Sequence, residues 1–500
     1  MKKYIFPAIA TALFASAVGA GNSTVSTTDG LVSALSNASN GDVVTLVAGT
    51  YSPMSPIEVN AANVTLVSAD GKAVTIIDGN ASGRILKVNG GNFKAEGITF
   101  KNAHTSSNGG AINYNSSSIS QTTFIKDCDF IDCTAKYGGA IYAGQNSYTS
   151  FGPRANYGVV SGCTFLRCGV DTTGSADDWG GGGAIFGALW VEDSVFDACY
   201  CADTSKNQYH AAIDVPSYTT ISNCIFRNHT QTKRGLVGSY ENQQQRGCSR
   251  LVDCLIADNT SSKNDDVLFH RKVVLDRCVI SNNSANVTWT QVGLYRLDAS
   301  GDRGISRVTS CLFIDNKYAF KMNSMPPIEN CTFVRNVGGL ACDFVESLSF
   351  SMTNCVFWAN VSKVDSSYKG VPGFCWHPST MLQNLVQVGN TVIEGGTADA
   401  NADVAAVLAT DDSGNSTALT AAAAADPKGA GFKDAANGDW SLKRSSVLVD
   451  AGAWADWMDS ARDIAGNRRC LKKGLVKDGA LPDIGCYEFC AVAGFKISLR

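Results

Sequence analysis

The densest gathering of residues able to do acid–base chemistry is Asn264-Asp265-Asp266 followed by His270-Arg271-Lys272. His210, Arg234 and Arg296 lie in the same region. A polysaccharide lyase needs a cation or metal to neutralise a uronate and a Lys, Arg, His or Tyr base at the α-carbon. A glycoside hydrolase needs two carboxylates flanking one bond. Asp265, Asp266, His270 and Arg271 are therefore the catalytic candidates. Their spacing works against a shared site, because adjacent His270 and Arg271 would face opposite sides of a strand. Charged residues on a solvated wall are the plainer reading. Whether these groups meet depends on the elements that carry them.

Those elements repeat. Ile125-Lys-Asp-Cys128-Asp-Phe130, Val160-Ser-Gly-Cys163-Thr-Phe165, Ile221-Ser-Asn-Cys224-Ile-Phe226, Leu251-Val-Asp-Cys254-Leu-Ile256 and Leu275-Asp-Arg-Cys278-Val-Ile280 are one phrase. Val308–Phe313, Ile328–Phe333 and Met352–Phe357 repeat it with Cys311, Cys331 and Cys355. Ala95–Phe100 and Val191–Phe196 are copies without the thiol. The bulky landmark recurs at steps of 30, 35, 31, 30, 30, 24, 33, 20 and 24 residues. A coil of short strands tolerates such variation, because extra residues leave as loops without moving the strands. Cys and landmark lie two apart, on one inward strand face. The apolar residue three before the Cys requires a bend or a preceding strand. Val, Ile, Thr and Phe favour strands. These features predict a single-stranded right-handed parallel β-helix with coils about 4.8 Å apart.

Two lanes follow from that stacking. The first holds the eight thiols Cys128, Cys163, Cys224, Cys254, Cys278, Cys311, Cys331 and Cys355. Disulfides are one reading in a secreted protein. Small buried hydrophobes are the other, favoured because parallel Cα–Cβ vectors suit the bridge dihedral poorly. Three residues past the landmark run Cys133, Cys168, Cys199, His229, Asn259, Asn283, Asn316, Asn336 and Asn360. The five asparagines suggest an amide ladder at a turn. The cysteines lack paired CxxC knuckles and only five histidines exist, which argues against a metal site. Asp171–Asp178 offers oxygen ligands for calcium, but a solvated loop explains it as well, and no cofactor is expected.

Gly109-Gly-Ala-Ile112, Gly138-Gly-Ala-Ile141 and Gly182-Gly-Ala-Ile185, with Phe313-Ile-Asp-Asn316, Phe333-Val-Arg-Asn336 and Phe357-Trp-Ala-Asn360, resemble the GGAI and FxxN tetrapeptides of polymorphic outer membrane protein repeats. The resemblance covers about residues 95–360 and implies a pectate-lyase-like β-helix used in surface display and adhesion. Gly41–Tyr51 and Val74–Gly79 resemble the opening of many secreted bacterial β-helix proteins. Asp426-Pro427, Ala435–Leu442, Val449–Gly452, Asp463–Asn467 and Asp483-Ile-Gly-Cys-Tyr-Glu488 resemble their closing segment, with Cys486 at a position usually small. No continuous run of galacturonase or pectin esterase motifs occurs.

Lys2, Lys3, the apolar run Ile5–Ala17 and Val18-Gly-Ala20 read as a secretory signal peptide over residues 1–20. Cleavage removes two lysines and takes the formal charge from -4 to -6. A mildly acidic chain argues against nucleic acid or an anionic membrane as partner. No later stretch reaches membrane-spanning length. Thr28-Asp29 with Leu31, Ala34, Leu35 and Ala38 predicts a short helix with an acidic N-cap, ended by Asn40-Gly41, as a lid on the first coil. Residues 21–395 then form the β-helix, 396–431 an Ala/Asp/Gly-rich excursion, and 432–500 terminal coils with a C-terminal cap. Ala493–Leu499 adds a possible last strand, and one pair among Cys470, Cys486 and Cys490 could bridge. Long polar insertions such as Gly169–Gly181 and Cys199–Tyr209 place any binding face between residues 140 and 300.

The function expected from this reading is a bacterial protein, secreted or displayed on the outer surface. It is a structural or adhesive scaffold binding a glycan or cell-surface ligand through loops and wall. A carbohydrate-active enzyme on an acidic polysaccharide, lyase before hydrolase, is the alternative. No autotransporter barrel is expected, since residues 361–500 are consumed by excursion and cap.

Overall fold

The computed structural model describes residues 21–114, 123–143, 158–170, 181–187, 189–202, 209–216, 219–230, 235–240, 249–261, 269–270, 273–285, 307–317, 320–322, 327–337, 340–342, 350–360, 369–371, 374–376, 386–389, 392–393, 431–469, 471–472, 475–476 and 481–490. The expected signal peptide at residues 1–20, residues 396–430 of the expected excursion, Cys470 and the tail from 491 lie outside them. The chain divides into two compact units, 1–249 and 250–500. Each is a right-handed parallel β-helix with three sheets.

In the first unit, the first sheet runs from Asn22–Val25 through Phe124–Lys126 and Gly158–Ser161 to Thr220–Ser222. The second runs from Gly49–Tyr51 through Asp129–Ile131 to Ile225–Arg227. The third runs from Ile57–Val59 through Ile141–Ala143 to Val237–Tyr240. Every pairing named is parallel, and the landmarks pair Cα to Cα: Phe100 with Phe130, Phe130 with Phe165, Phe165 with Phe196 and Phe196 with Phe226. Their rings stack at centroid separations of 5.2, 4.9, 4.7 and 4.9 Å, all buried. That spacing is the coil rise itself.

The bend that the sequence requires between leading residue and cysteine is a single left-handed residue. Gly97, Asp127, Gly162, Asp193 and Asn223 all have positive φ, and each precedes the lane position. A second left-handed residue stands two past the landmark, at Asn102, Asp132, Arg167, Ala198 and Asn228. Gly, Asn and Asp take this conformation readily. Arg167 takes it at a cost, offset by a two-point contact to Asp132 one coil away, Nε–Oδ1 and Nη2–Oδ2 both 2.7 Å. The cysteine therefore sits at the corner, pointing inward, rather than within the strand. Cys163 Sγ donates to Ser161 O at 3.4 Å and Ile125 O at 3.6 Å. Ser194 keeps that geometry where the thiol is missing, its Oγ donating to Glu192 O at 2.7 Å. The fourteen cysteines whose side chains are described are free thiols.

The GGAI tetrapeptide has a steric explanation. A Cβ on Gly139 would lie 2.3 Å from Gly183 O, and one on Gly183 would lie 2.0 Å from Ala211 O. Only glycine lets successive coils approach at this entrance to the third sheet.

A helix, Thr28–Ser36, covers the first coil with Leu31 and Leu35 buried against it. Its N-cap is Thr27 rather than an acidic residue: Thr27 Oγ1 accepts from Gly30 N at 3.1 Å. Asp29 lies in the first turn, where the helix dipole favours it, and Asn37 ends the helix ahead of Asn40-Gly41.

The second unit repeats the plan. Its first sheet runs from Ser249–Val252 to Val386–Gly389 and its second from Leu255–Ala257 to Val392–Ile393. A smaller third sheet contains Phe320–Met322, Leu340–Cys342 and Phe374–Trp376, with Lys369–Val371 antiparallel to the last. Phe313, Phe333 and Phe357 stack at 4.6 and 4.5 Å. Asn259, Asn283, Asn316, Asn336 and Asn360 form a continuous ladder. Each Nδ2 donates to the next Oδ1, at 2.8, 3.0, 3.0 and 3.1 Å. Each Oδ1 also accepts the preceding rung's backbone N–H, at 2.9 to 3.1 Å.

The C-terminal segment, residues 431–490, seats on the wall of this unit. Phe432, Trp440, Leu442, Leu448, Ile484 and Phe489 pack against Leu312, Val334 and Val356, the outward residues of the second sheet. Cys486 N donates to Thr332 Oγ1 at 3.0 Å, Gly485 N to Asn354 O at 2.8 Å, and Arg469 Nη2 to Ser310 Oγ at 2.9 Å. One segment thus spans three coils.

Candidate functional site

Insertions enter the first unit mainly at one sheet. Between the first and second sheets the chain turns through a left-handed residue and the lane residue alone. By contrast, residues 115–122, 144–157 and 241–248 follow third-sheet strands, and 171–180, 203–208 and 231–234 precede them. The third sheet is therefore flanked at both ends by the long polar segments.

Its outward side chains form one column, Glu58, Lys87, Asn113, Tyr142, Phe186 and Asp214, in register from coil to coil. The column begins as an ion pair, Lys87 Nζ to Glu58 Oε1 at 2.9 Å. It becomes an aromatic stack, with Phe186 5.6 Å from Tyr142 and 5.3 Å from Tyr137, centroid to centroid. It ends in a fully buried carboxylate, Asp214. Although outward-facing, Asn113 and Phe186 are also buried.

Two of the sequence candidates fall on described strands. His210 lies in the strand Tyr209–His210, where it pairs with Gly182. His270 lies in the strand Phe269–His270 of the second unit. Asp265, Asp266, Arg271, Arg234 and Arg296 lie outside the described residues, as does Asp171–Asp178. Among the described residues, no group of three His, Cys, Asp or Glu side chains is placed to hold a metal ion. Cys163 and Cys199 are poor nucleophiles: burial pushes Cys163 well above its ordinary pKa and Cys199 up to about 12.

A second polar column, missed in the sequence, stands on the outer face of the second unit's first sheet. Asp276, Thr309, Glu329 and Thr353 are in register on four successive coils. Thr309 Oγ1 donates to Asp276 Oδ1 at 3.1 Å, and Arg277 Nη1 donates to Asp276 Oδ2 at 2.7 Å. Burial nevertheless pushes the Asp276 carboxyl above its ordinary range, with Arg277 opposing. Arg307 pairs with Glu329 through Nε at 2.6 Å, and Trp457 Nε1 donates to Glu329 Oε1 at 3.1 Å. Each column member lies two residues before a lane cysteine, so counting back two finds it. Trp457 carries no such signal, because it arrives from the C-terminal segment.

No family model matches the chain, and no curated protein matches it. Similar solved structures are β-helix enzymes. A mannuronic acid specific polysaccharide family 6 lyase from human gut microbiota is 14% identical, with TM-score 0.35, covering 67% of this chain and 86% of that one. The family 6 alginate lyase AlyGC is 12% identical, with TM-score 0.41, covering 75% and 51%. Pectate lyase Pel9A is 11% identical, with TM-score 0.34, covering 94% and 96%. The fold defined by the strand pairings is theirs in class. What this chain binds has to be argued from its own surfaces. Among the described residues, no helix is long and apolar enough to cross a membrane.

Proposed function

We propose that the protein is a secreted or surface-displayed β-helix that binds polysaccharide, with its main binding surface on the loop-bearing third face of the first unit. The observation that carries this reading is the placement of the insertions at the ends of one sheet, while the first two sheets are joined by minimal corners. Loops held on a rigid shaft are where recognition usually resides. Residues 144–157 and 171–180 are rich in Asn, Asp, Ser, Thr, Tyr and Trp, groups that pair with sugar hydroxyls and stack on sugar faces. The test is a glycan array probed with the mature chain and with a variant whose residues 144–157 and 171–180 are replaced by Gly-Ser linkers. Binding should fall at least tenfold with thermal unfolding unchanged. Undiminished binding by the linker variant would place the surface elsewhere.

A second reading, cleavage of the bound polymer, is favoured by one observation. Asp276 and Glu329 stand two coils apart in one outward column, about 9.6 Å at the coil rise. That backbone spacing is just above the roughly 6.5–9.5 Å separating the carboxyls of inverting glycosidases, within reach of the side chains. Release of reducing ends that Asp276→Asn abolishes would establish it.

A further inference from the structure

We infer that the second unit carries a separate platform for a neutral saccharide, built from Trp454, Trp457, Arg307 and Glu329. This goes beyond the loop surface proposed above, since it uses another sheet, another unit and no insertion.

Trp454 is 47% exposed, the most exposed tryptophan among the large apolar side chains that reach the described surface. Its indole N–H is not free to wander: Nε1 donates to Asp459 Oδ1 at 3.2 Å. Trp457, three residues on, has its N–H fixed by Glu329 Oε1, and the Arg307 guanidinium lies 4.7 Å from its ring centroid. Both edges are thus pinned by carboxylates, which fixes ring orientation at little further entropy cost on binding. The short 3-10 helix Asp456–Asp459 carries Trp457 and the Asp459 carboxylate, Met458 anchors it inward, and Glu329 reaches Trp457 from the sheet. The Arg307 guanidinium covers one face of Trp457, which leaves the exposed face of Trp454, edged by Asp459, as the surface that suits a sugar ring. The C–H face stacks, and vicinal hydroxyls bond the carboxylate. The column Asp276, Thr309, Glu329 and Thr353 runs along the same wall at one residue per coil, with Thr309 buried and Asp276 and Glu329 already ion-paired.

Charge decides between neutral and acidic saccharides. Arg250, Arg277 and Arg307 face Asp253, Asp276, Glu329, Asp456 and Asp459 in this patch. Each of the three guanidiniums is already committed. Arg277 pairs with Asp253 at 2.7 Å, Arg250 lies 3.9 Å from Asp276, and Arg307 pairs with Glu329. With these three guanidiniums committed, none of them is free to neutralise a uronate, and Asp456 and Asp459 add negative charge beside the two indoles in the chain.

The experiment is isothermal titration of the full chain with neutral hexasaccharides (β-1,4-glucan, α-1,4-glucan, β-1,3-glucan and β-1,4-xylan) and with oligogalacturonate and oligoalginate. At least one neutral oligomer should bind saturably. Trp454→Ala should weaken that binding tenfold or more, Trp454→Phe by no more than about threefold, with unfolding temperatures unchanged. Titrating the linker variant in parallel separates the two surfaces. Loss there with Trp454→Ala unaffected sinks the platform and leaves the loop surface standing, and the reverse sinks the loop surface. Absence of any neutral binder, or Trp454-dependent binding of acidic oligomers alone, overturns the inference.

Discussion

At the scale of the residue, this fold is governed by what happens at two corners per coil. A left-handed residue turns the chain, and the next side chain points inward, where it must either be apolar or find partners. In the first unit Cys133, Cys168 and Cys199 fill the second corner, and Cys168 Sγ still reaches Phe130 O at 3.4 Å. In the second unit asparagine fills it and satisfies both its own amide and the backbone. Asn316 shows what a rung does: Oδ1 accepts from Asn283 N and Nδ2, while Nδ2 donates to Ile280 O at 2.8 Å. Asn316→Ala would orphan several buried groups at once, and each unsatisfied group costs about 1–3 kcal/mol. The expected loss is about 3 kcal/mol, read from denaturant unfolding. Asn316→Cys should cost less, since a thiol already fills this corner in the first unit. The repeating cysteines and asparagines are plain in the sequence because one residue type recurs at one offset. The left-handed corners are less plain, because Asp, Asn, Gly, Arg, Ser and Ala all serve there.

At the scale of the element, the C-terminal segment behaves as a clasp held by a buried charge cluster. Asp463, Arg469 and Asp483 are fully buried and Glu488 nearly so. Arg469 Nη1 meets Glu488 Oε1 at 3.2 Å, Glu488 N donates to Asp463 Oδ2 at 2.8 Å, and Asp483 Oδ1 accepts from Asp450 N at 2.7 Å. Three carboxyls share one guanidinium. Burial, reinforced by mutual repulsion, pushes Asp483 up to about 7 and Glu488 up to about 8. A carboxyl with a raised folded pKa holds its proton more tightly when folded. Its contribution is therefore complete below the unfolded value, about 4, and is lost as pH rises through 7 and 8. Hydrogen exchange in residues 431–490 should accelerate between pH 6 and pH 8.5, after correction for intrinsic rates, and Glu488→Gln should flatten that rise. An unchanged profile in the variant would assign the instability to another group. The segment's order of motifs was legible in the sequence. Its seat along three coils was not, since Ser310, Asn330, Thr332 and Asn354 belong to the repeat and carry no mark of their partner.

At the scale of the whole molecule, each unit is a stack in which a coil touches its neighbours above and below. Stability is then close to a sum of nearest-neighbour terms. Phe165 lies between Phe130 and Phe196, stacked at 4.9 and 4.7 Å. Phe165→Ala should cost about 3–5 kcal/mol. Hydrogen-exchange protection should fall first in Asp129–Ile131 and Val195–Asp197, while Thr75–Asp78 keeps its protection. Uniform loss across the first unit would mean longer-range cooperativity than this picture allows.

The sequence alone determined the winding: periodic side chains must stack like on like, so repetition at irregular steps fixes strands, inward faces and the place of the insertions along the chain. It also located the helical lid, though not its cap residue: an acidic cap is expected, but the helix starts at Thr28, so Asp29 falls in the first turn and the Thr27 hydroxyl meets Gly30 N. Only the tertiary structure decided which side chains share a surface. Register placed Glu58, Lys87, Asn113, Tyr142, Phe186 and Asp214 in one column across 156 residues of separation in the chain. Folding of the C-terminal segment onto the wall set Trp457 against Glu329, 128 residues away. A sequence records the period of each strand. The lateral meeting of distant segments depends on packing area and hydrogen-bond geometry, which come into being only when the coils are stacked.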